Sequence, residues 1–184
     1  MSAGLPKIRI MTSSEGTPGN GRQGTAHFVH VDLHVHYRQA YLVDDEATGP
    51  HGLPADDPAH PVGIIRVEEG AAFLITGVDT GTVGFTVAVA DRDPGPELEE
   101  FEDIVEVGFR SAVGRVALHE WGGPAYELPP LPAGPGWYRL RYHARGMDGP
   151  VDDDYLLQIW PQESAEPRVV KSSSATLQYW LHPG

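Results

Sequence analysis

Residues 28–37 read Phe-Val-His-Val-Asp-Leu-His-Val-His-Tyr, and their alternation decides the fold class. Val29, Val31, Leu33, Val35 and Tyr37 fall on one side of an extended chain, while His30, Asp32, His34 and His36 fall on the other. A period of two over ten residues is the pattern of a half-buried strand, because successive side chains leave a strand on opposite faces. By its polarity, the histidine face is the outward one.

The same pattern recurs downstream. GIIRVEEG, AAFLITG and TVGFTVAVAD are short apolar or alternating runs separated by Gly and Asp, the punctuation of hairpins. Within the acidic tract PELEEFEDIVEVGFRS, alternation begins near Asp103 and predicts a strand from there. VGRVALHEW adds another strand. LPAGPGWYRLRYHARG carries a Pro/Gly turn into a strand with Tyr138, Leu140, Tyr142 and Ala144 on one face and Arg139, Arg141, His143 and Arg145 on the other. DYLLQIWP is an apolar run stopped by Pro161, and SSSATLQYWLH reads equally as a short serine-capped helix or a last strand.

The segments between the strands also carry information. KIRIM (7–11) suits a short strand, whereas residues 11–26, rich in Ser, Thr, Gly, Pro and Asn, read as a mobile linker. Asp44 to Pro61, with four prolines, reads as an excursion loop, since proline cannot donate to a central ladder. The expectation is therefore an all-β antiparallel sandwich or jelly roll with at most one short C-terminal helix. It comprises residues 27–184, preceded by an N-terminal extension over 1–26.

The 184 residues suffice for one self-sufficient core, and the absence of cysteine excludes disulfides and thiolate metal sites. With no signal-peptide stretch and no apolar run of membrane-spanning length, the expected location is the cytoplasm and no membrane contact is expected. The formal charge is −13, and residues 39–110 alone carry a net −13 while the flanks nearly balance. Such acidity argues against direct nucleic-acid binding, which needs a basic footprint, and favours either plain solubility or attraction to a basic partner.

Three constellations carry candidate chemistry. His30, Asp32 and His34 project from one strand face at about 6.6–7 Å intervals, and His143 on a later strand is a candidate fourth ligand for a divalent metal of the kind that imidazole and carboxylate hold. This would be a cupin-like jelly-roll site; the alternative is a solvated face bearing titratable histidines. Arg139, Arg141 and Arg145 form a row suited to an anionic ligand or to cross-strand pairing with Glu102, Asp103 and Glu106, and the pairing is favoured. Glu97, Glu99, Glu100, Glu102 and Asp103 form an acidic surface for a basic protein partner, or a wet edge that blocks aggregation. Trp121, Trp137, Trp160 and Trp180 suit core and rim packing better than a ligand platform. No G-x-S-x-G elbow, H-E-x-x-H or cysteine nucleophile is present, which leans away from an enzyme.

The segments HYRQAYLVDD, FEDIVEVGFRSAVGRVALHEWGG, LPAGPGWYRLRYHARG and DYLLQIWP, with the Tyr-x-Gln element at Tyr37 and Gln39, resemble the ComJ-like group of small bacterial proteins over roughly residues 33–161. The resemblance implies a compact β domain whose namesake inhibits a DNA-entry nuclease by direct binding. It transfers no catalytic residue. The leading expectation is a non-enzymatic interaction module, an inhibitor or immunity-type protein that needs no cofactor; the metal-binding jelly roll is the alternative.

Overall fold

The computed structural model describes residues 8–13, 24–44, 61–149 and 153–182. In chain order its elements are β1 (Ile8–Ser13), β2 (Ala26–Val35), β3 (Gln39–Asp44), β4 (Ile65–Glu68), β5 (Ala71–Ile75), β6 (Gly81–Ala90), β7 (Asp103–Ser111), β8 (Val116–Glu120), β9 (Ala125–Glu127), β10 (Gly136–Arg145), β11 (Asp154–Pro161), β12 (Arg168–Lys171) and α1 (Ala175–Leu181). The seven-stranded sheet has the order β1-β2-β6-β11-β10-β7-β12, and the five-stranded sheet β4-β5-β3-β8-β9. All pairings are antiparallel except β6 with β11.

The fold is an all-β sandwich, as the alternation predicts. Val29, Val31, Leu33 and Val35 of β2 are almost fully buried and join Val83, Phe85, Val87 and Val89 of β6 in one core with Leu42, Leu74 and Leu118 of the facing sheet. At its centre Phe85, Tyr142 and Tyr155 stack with centroids 5.9–6.2 Å apart. The Tyr142 hydroxyl donates to the Ile75 carbonyl at 3.0 Å, and the Tyr155 hydroxyl accepts from Gly77 N–H at 2.7 Å. Each buried phenol thus has the partner that burial demands.

Three local expectations are refined. The strand foreseen in KIRIM extends to Ser13 and pairs with β2 from Ile8↔Val31 to Ser13↔Ala26, because the edge of β2 offers a ladder that residues 11–13 complete. Residues 14–23 of the expected linker and 45–60 of the expected excursion loop lie outside the described residues. The C-terminal ambiguity resolves as helix: Ser174 caps α1, its hydroxyl accepting from Leu177 N–H at 2.9 Å. Leu177 closes one end of the core against Gly63, whose φ is +78° and where an added Cβ would lie 2.6 Å from Leu177 Cδ1.

Candidate functional site

The outer face of the large sheet is only partly open to solvent. Two connections cross it, the β6–β7 strap (91–102) and the β11–β12 segment (162–167). Beneath them lies a second, smaller core of Ala88, Phe101, Ile104 and Leu156, with Phe28 and Val170 at its margin. Beside that core sits a charge network. Two members of the predicted arginine row pair with a predicted acid: Glu106, 3% exposed, accepts from Arg139 Nε at 3.2 Å and Arg141 Nε at 2.6 Å, and also from Arg168 Nη2, outside that row, at 3.0 Å, whereas Arg145 donates to Asp154 at 3.1 Å.

Cross-strand register produces this geometry. Glu106 lies opposite Arg141 in the β7–β10 ladder and opposite Arg168 in the β7–β12 ladder, and Arg139, opposite Gly108, reaches it diagonally, so three basic side chains converge on one carboxylate. Arg141 also donates to Asp93 at 2.8 and 3.1 Å and to Gln158 Oε1 at 2.8 Å, while its guanidinium carbon lies 4.6 Å from the Trp160 ring centre. Arg139 directs its remaining donors to the carbonyls of Ala165 and Glu166. The two buried forks are engaged by the protein itself, which leaves little for an external anion. Burial pushes the Glu106 carboxyl up, but the hydrogen bond and charge of Arg141, then those of Arg168, outweigh it and hold the group below its ordinary range.

The strap is fastened along its length. Asp93 accepts from Gly95 N–H at 2.8 Å, Gln158 Nε2 donates to the Gly95 carbonyl at 2.9 Å, and Glu97 N–H donates to His143 Nε2 at 3.2 Å. Phe101 is 6% exposed, and Lys171 Nζ donates to the carbonyls of Leu98 and Phe101, each at 2.7 Å. From this fixed backbone Glu97, Glu99, Glu100 and Glu102 reach solvent, and Leu98 stands 46% exposed among them.

Asp103 differs from the other members of the predicted acidic surface. It is fully buried and accepts from Ser173 N–H at 2.8 Å, from Ser174 N–H at 3.1 Å and from the Ser174 hydroxyl. Its carboxylate anchors the start of α1 and is not presented to a partner. The surface set therefore reduces to the four glutamates.

The predicted metal ligands are also separated. His30, Thr86, Leu156 and His143 form one transverse row through the β2–β6, β6–β11 and β11–β10 registers, so three strand spacings, about 14 Å, divide His30 from His143. That exceeds any shared coordination sphere. His143 is fully buried, accepts at Nε2 from Glu97 and therefore carries its proton on Nδ1, which donates to the Leu156 carbonyl at 3.1 Å. Burial, more than any neighbour, lowers its pKa to about 4. His30 is held by Thr86 Oγ1 at 3.0 Å and lies 3.8 Å from Asp32, while His34 is exposed. Among the described residues, no three His, Asp or Glu side chains are grouped to hold a metal ion.

Asp93, Gln158 and Lys171 are members of this face that the sequence reading missed, and Trp160, read there as packing, lies 2% exposed against Arg141. The Asp-Pro-Gly run at 93–95 marks a turn, and the continuous apolar run of β11 marks burial on both faces; together they signal a covered sheet.

No family model matches the chain, and no curated protein matches it, so neither comparison returns a ComJ-like relative. Among solved structures, the chain is similar to one titled Crocagin biosynthetic gene J, at 12% identity and a TM-score of 0.49, over 86% of this chain and 99% of that one. At that distance the likeness carries no functional argument. No helix among the described residues is long and apolar enough to cross a membrane.

Proposed function

We propose that the protein is a non-enzymatic interaction module that docks a basic protein through the strap between β6 and β7. The observation that carries this reading is the presentation of Glu97, Glu99, Glu100 and Glu102 around the exposed Leu98 on a backbone tied to β10, β11 and β12. An apolar centre with a charged rim suits protein recognition, and a strap already ordered in the free protein reduces the entropy lost on docking. Acidic steering accelerates encounter with a basic partner and makes association salt-sensitive. The resemblance to ComJ-like proteins supports a nuclease as the kind of basic partner and the cytoplasm as the place of encounter.

The test is affinity purification of tagged protein from its own host at low and moderate salt, with metal analysis of the same eluate. Wild-type protein is expected to retain one stoichiometric basic partner at low salt. A Glu97→Lys, Glu99→Lys, Glu100→Lys, Glu102→Lys variant with an unchanged melting temperature is expected to lose it. Equal retention by the variant, or near-equimolar metal with no partner, overturns the reading.

A further inference from the structure

The β2–β3 connection is a two-residue turn closed by Gln39 N–H donating to the His36 carbonyl at 3.2 Å. Tyr37 and Arg38 occupy its centre with φ of 55° and 61°, and they are the non-glycine residues with positive φ among those described. Two positive φ values make this a type I′ turn, which Asn-Gly forms without strain. Placing Tyr and Arg there costs conformational energy, and strain of this kind persists where the side chains themselves are needed.

The Tyr37 ring does not go into the core. It is 57% exposed and meets Trp121, 49% exposed and carried by the separate β8–β9 turn, edge to face at 5.4 Å between centroids. His36 backs both rings, at 4.0 and 5.3 Å. Two carboxylates are tied to the elements that carry the pair. Asp79 Oδ2 accepts from Thr80 Oγ1 at 3.1 Å, a hydroxyl that also lies 2.9 Å from His36 Nδ1, and Glu120, which precedes Trp121, accepts at Oε1 from His34 N–H at 2.9 Å and from the Tyr126 hydroxyl at 2.7 Å. Arg38 lines a recess with Gly77, Val78, Met147 and Asp148.

We propose that Tyr37 and Trp121, flanked by Asp79 and Glu120, form a recognition site for an arginine or lysine side chain of a basic polypeptide. Aromatic faces attract cations, the neighbouring carboxylates reinforce the attraction, and tyrosine and tryptophan are the residues that dominate protein contacts energetically. The proposal rests on the reading of a basic protein partner given above and assigns it a contact distinct from the strap.

The probe is an end-capped hexapeptide of alternating arginine and glycine, titrated into the full chain while the Trp121 indole N–H and Tyr37 ring resonances are followed by NMR. A matched peptide with citrulline in place of arginine keeps the shape and removes the charge. The arginine peptide is expected to shift both resonances and the citrulline peptide to leave them unmoved. Trp121→Ala and Tyr37→Ala are each expected to weaken binding roughly three- to thirtyfold. Tyr37→Asn, which fits the turn, is expected to weaken binding equally while raising Tm by about 2–4 °C. Equal response to both peptides, or no response at millimolar peptide, overturns the proposal. The four-lysine strap variant is expected to keep the peptide response; loss of that response assigns the peptide to the strap and also overturns the proposal. Failure to retain a native partner, with the peptide response intact, counts against the strap reading alone.

Discussion

Glu106 and Arg141 face each other across adjacent strands at 2.6 Å, with side chains 4% and 2% exposed. A pair this deeply buried is sustained by its mutual satisfaction more than by net stabilisation, since two charges removed from water recover their hydration energy only through each other and their hydrogen bonds. The asymmetry is testable. Glu106→Gln is expected to destabilise the fold by about 3 kcal/mol, because Arg139 is left buried with no carboxylate and Arg141 keeps only Asp93. Urea denaturation with an unchanged m-value checks this, and a loss below 1 kcal/mol would show that the network is not coupled to global stability.

The same carboxylate sets an acid limit. Its folded pKa lies below its ordinary 4.5, so its stabilising contribution is fully present above pH 4.5 and disappears as pH falls through the lower, folded value. Asp93, pushed up by burial but held down more strongly by Arg141, acts in the same direction below 3.8. Melting temperature measured against pH should drop steeply on the acid side of 4.5, and Glu106→Gln should flatten that part of the curve.

His143 governs an adjacent window. The unfolded imidazole takes up a proton near 6.5, but the folded one resists until about 4, so stability declines as pH falls from 6.5 to 4 and this contribution then levels off. His143→Gln should abolish the decline in that interval while leaving the limb below 4.5 in place. An identical curve for the variant would mean that the ring takes up its proton at the same pH in the folded and unfolded chains.

Asp103 and Ser174 couple the acidic tract to the C-terminal helix. Ser174→Ala is expected to cost about 1 kcal/mol through loss of the cap. Asp103→Ala should cost more, about 2–3 kcal/mol, because two backbone N–H groups and a hydroxyl lose one charged acceptor. Hydrogen exchange should localise the change to α1, and exchange that accelerates uniformly through β7 instead would contradict a local anchor.

The strands were legible because β2, β6, β7 and β10 each bury one row of apolar side chains against the facing sheet, and burial of that kind imprints a period of two on the sequence. The outer face was harder to read. Arg139, Arg141 and His143 look like a polar row bound for water, and their burial depends on a strap distant in sequence folding back over them. Periodicity reports which residues share a face but not what covers that face. The separation of His30 from His143 was hidden for the same reason: both point outward, and only the strand order places two strands between their own.

β11 lies at the middle of the large sheet, between β6 and β10, although it is the second-last strand to be made. On a ribosome the two halves of that sheet, β1-β2-β6 and β10-β7, emerge with facing ladders that nothing local can fill, because the β6–β11 pairing is parallel and joins Gly84–Val89 to Asp154–Ile159. The nascent chain therefore carries two open hydrogen-bonding edges until residues 154–161 clear the exit tunnel. Shortened translation products that stop before that point would be exposed to edge-to-edge association and to proteolytic quality control, whatever the strength of the core assembled up to then.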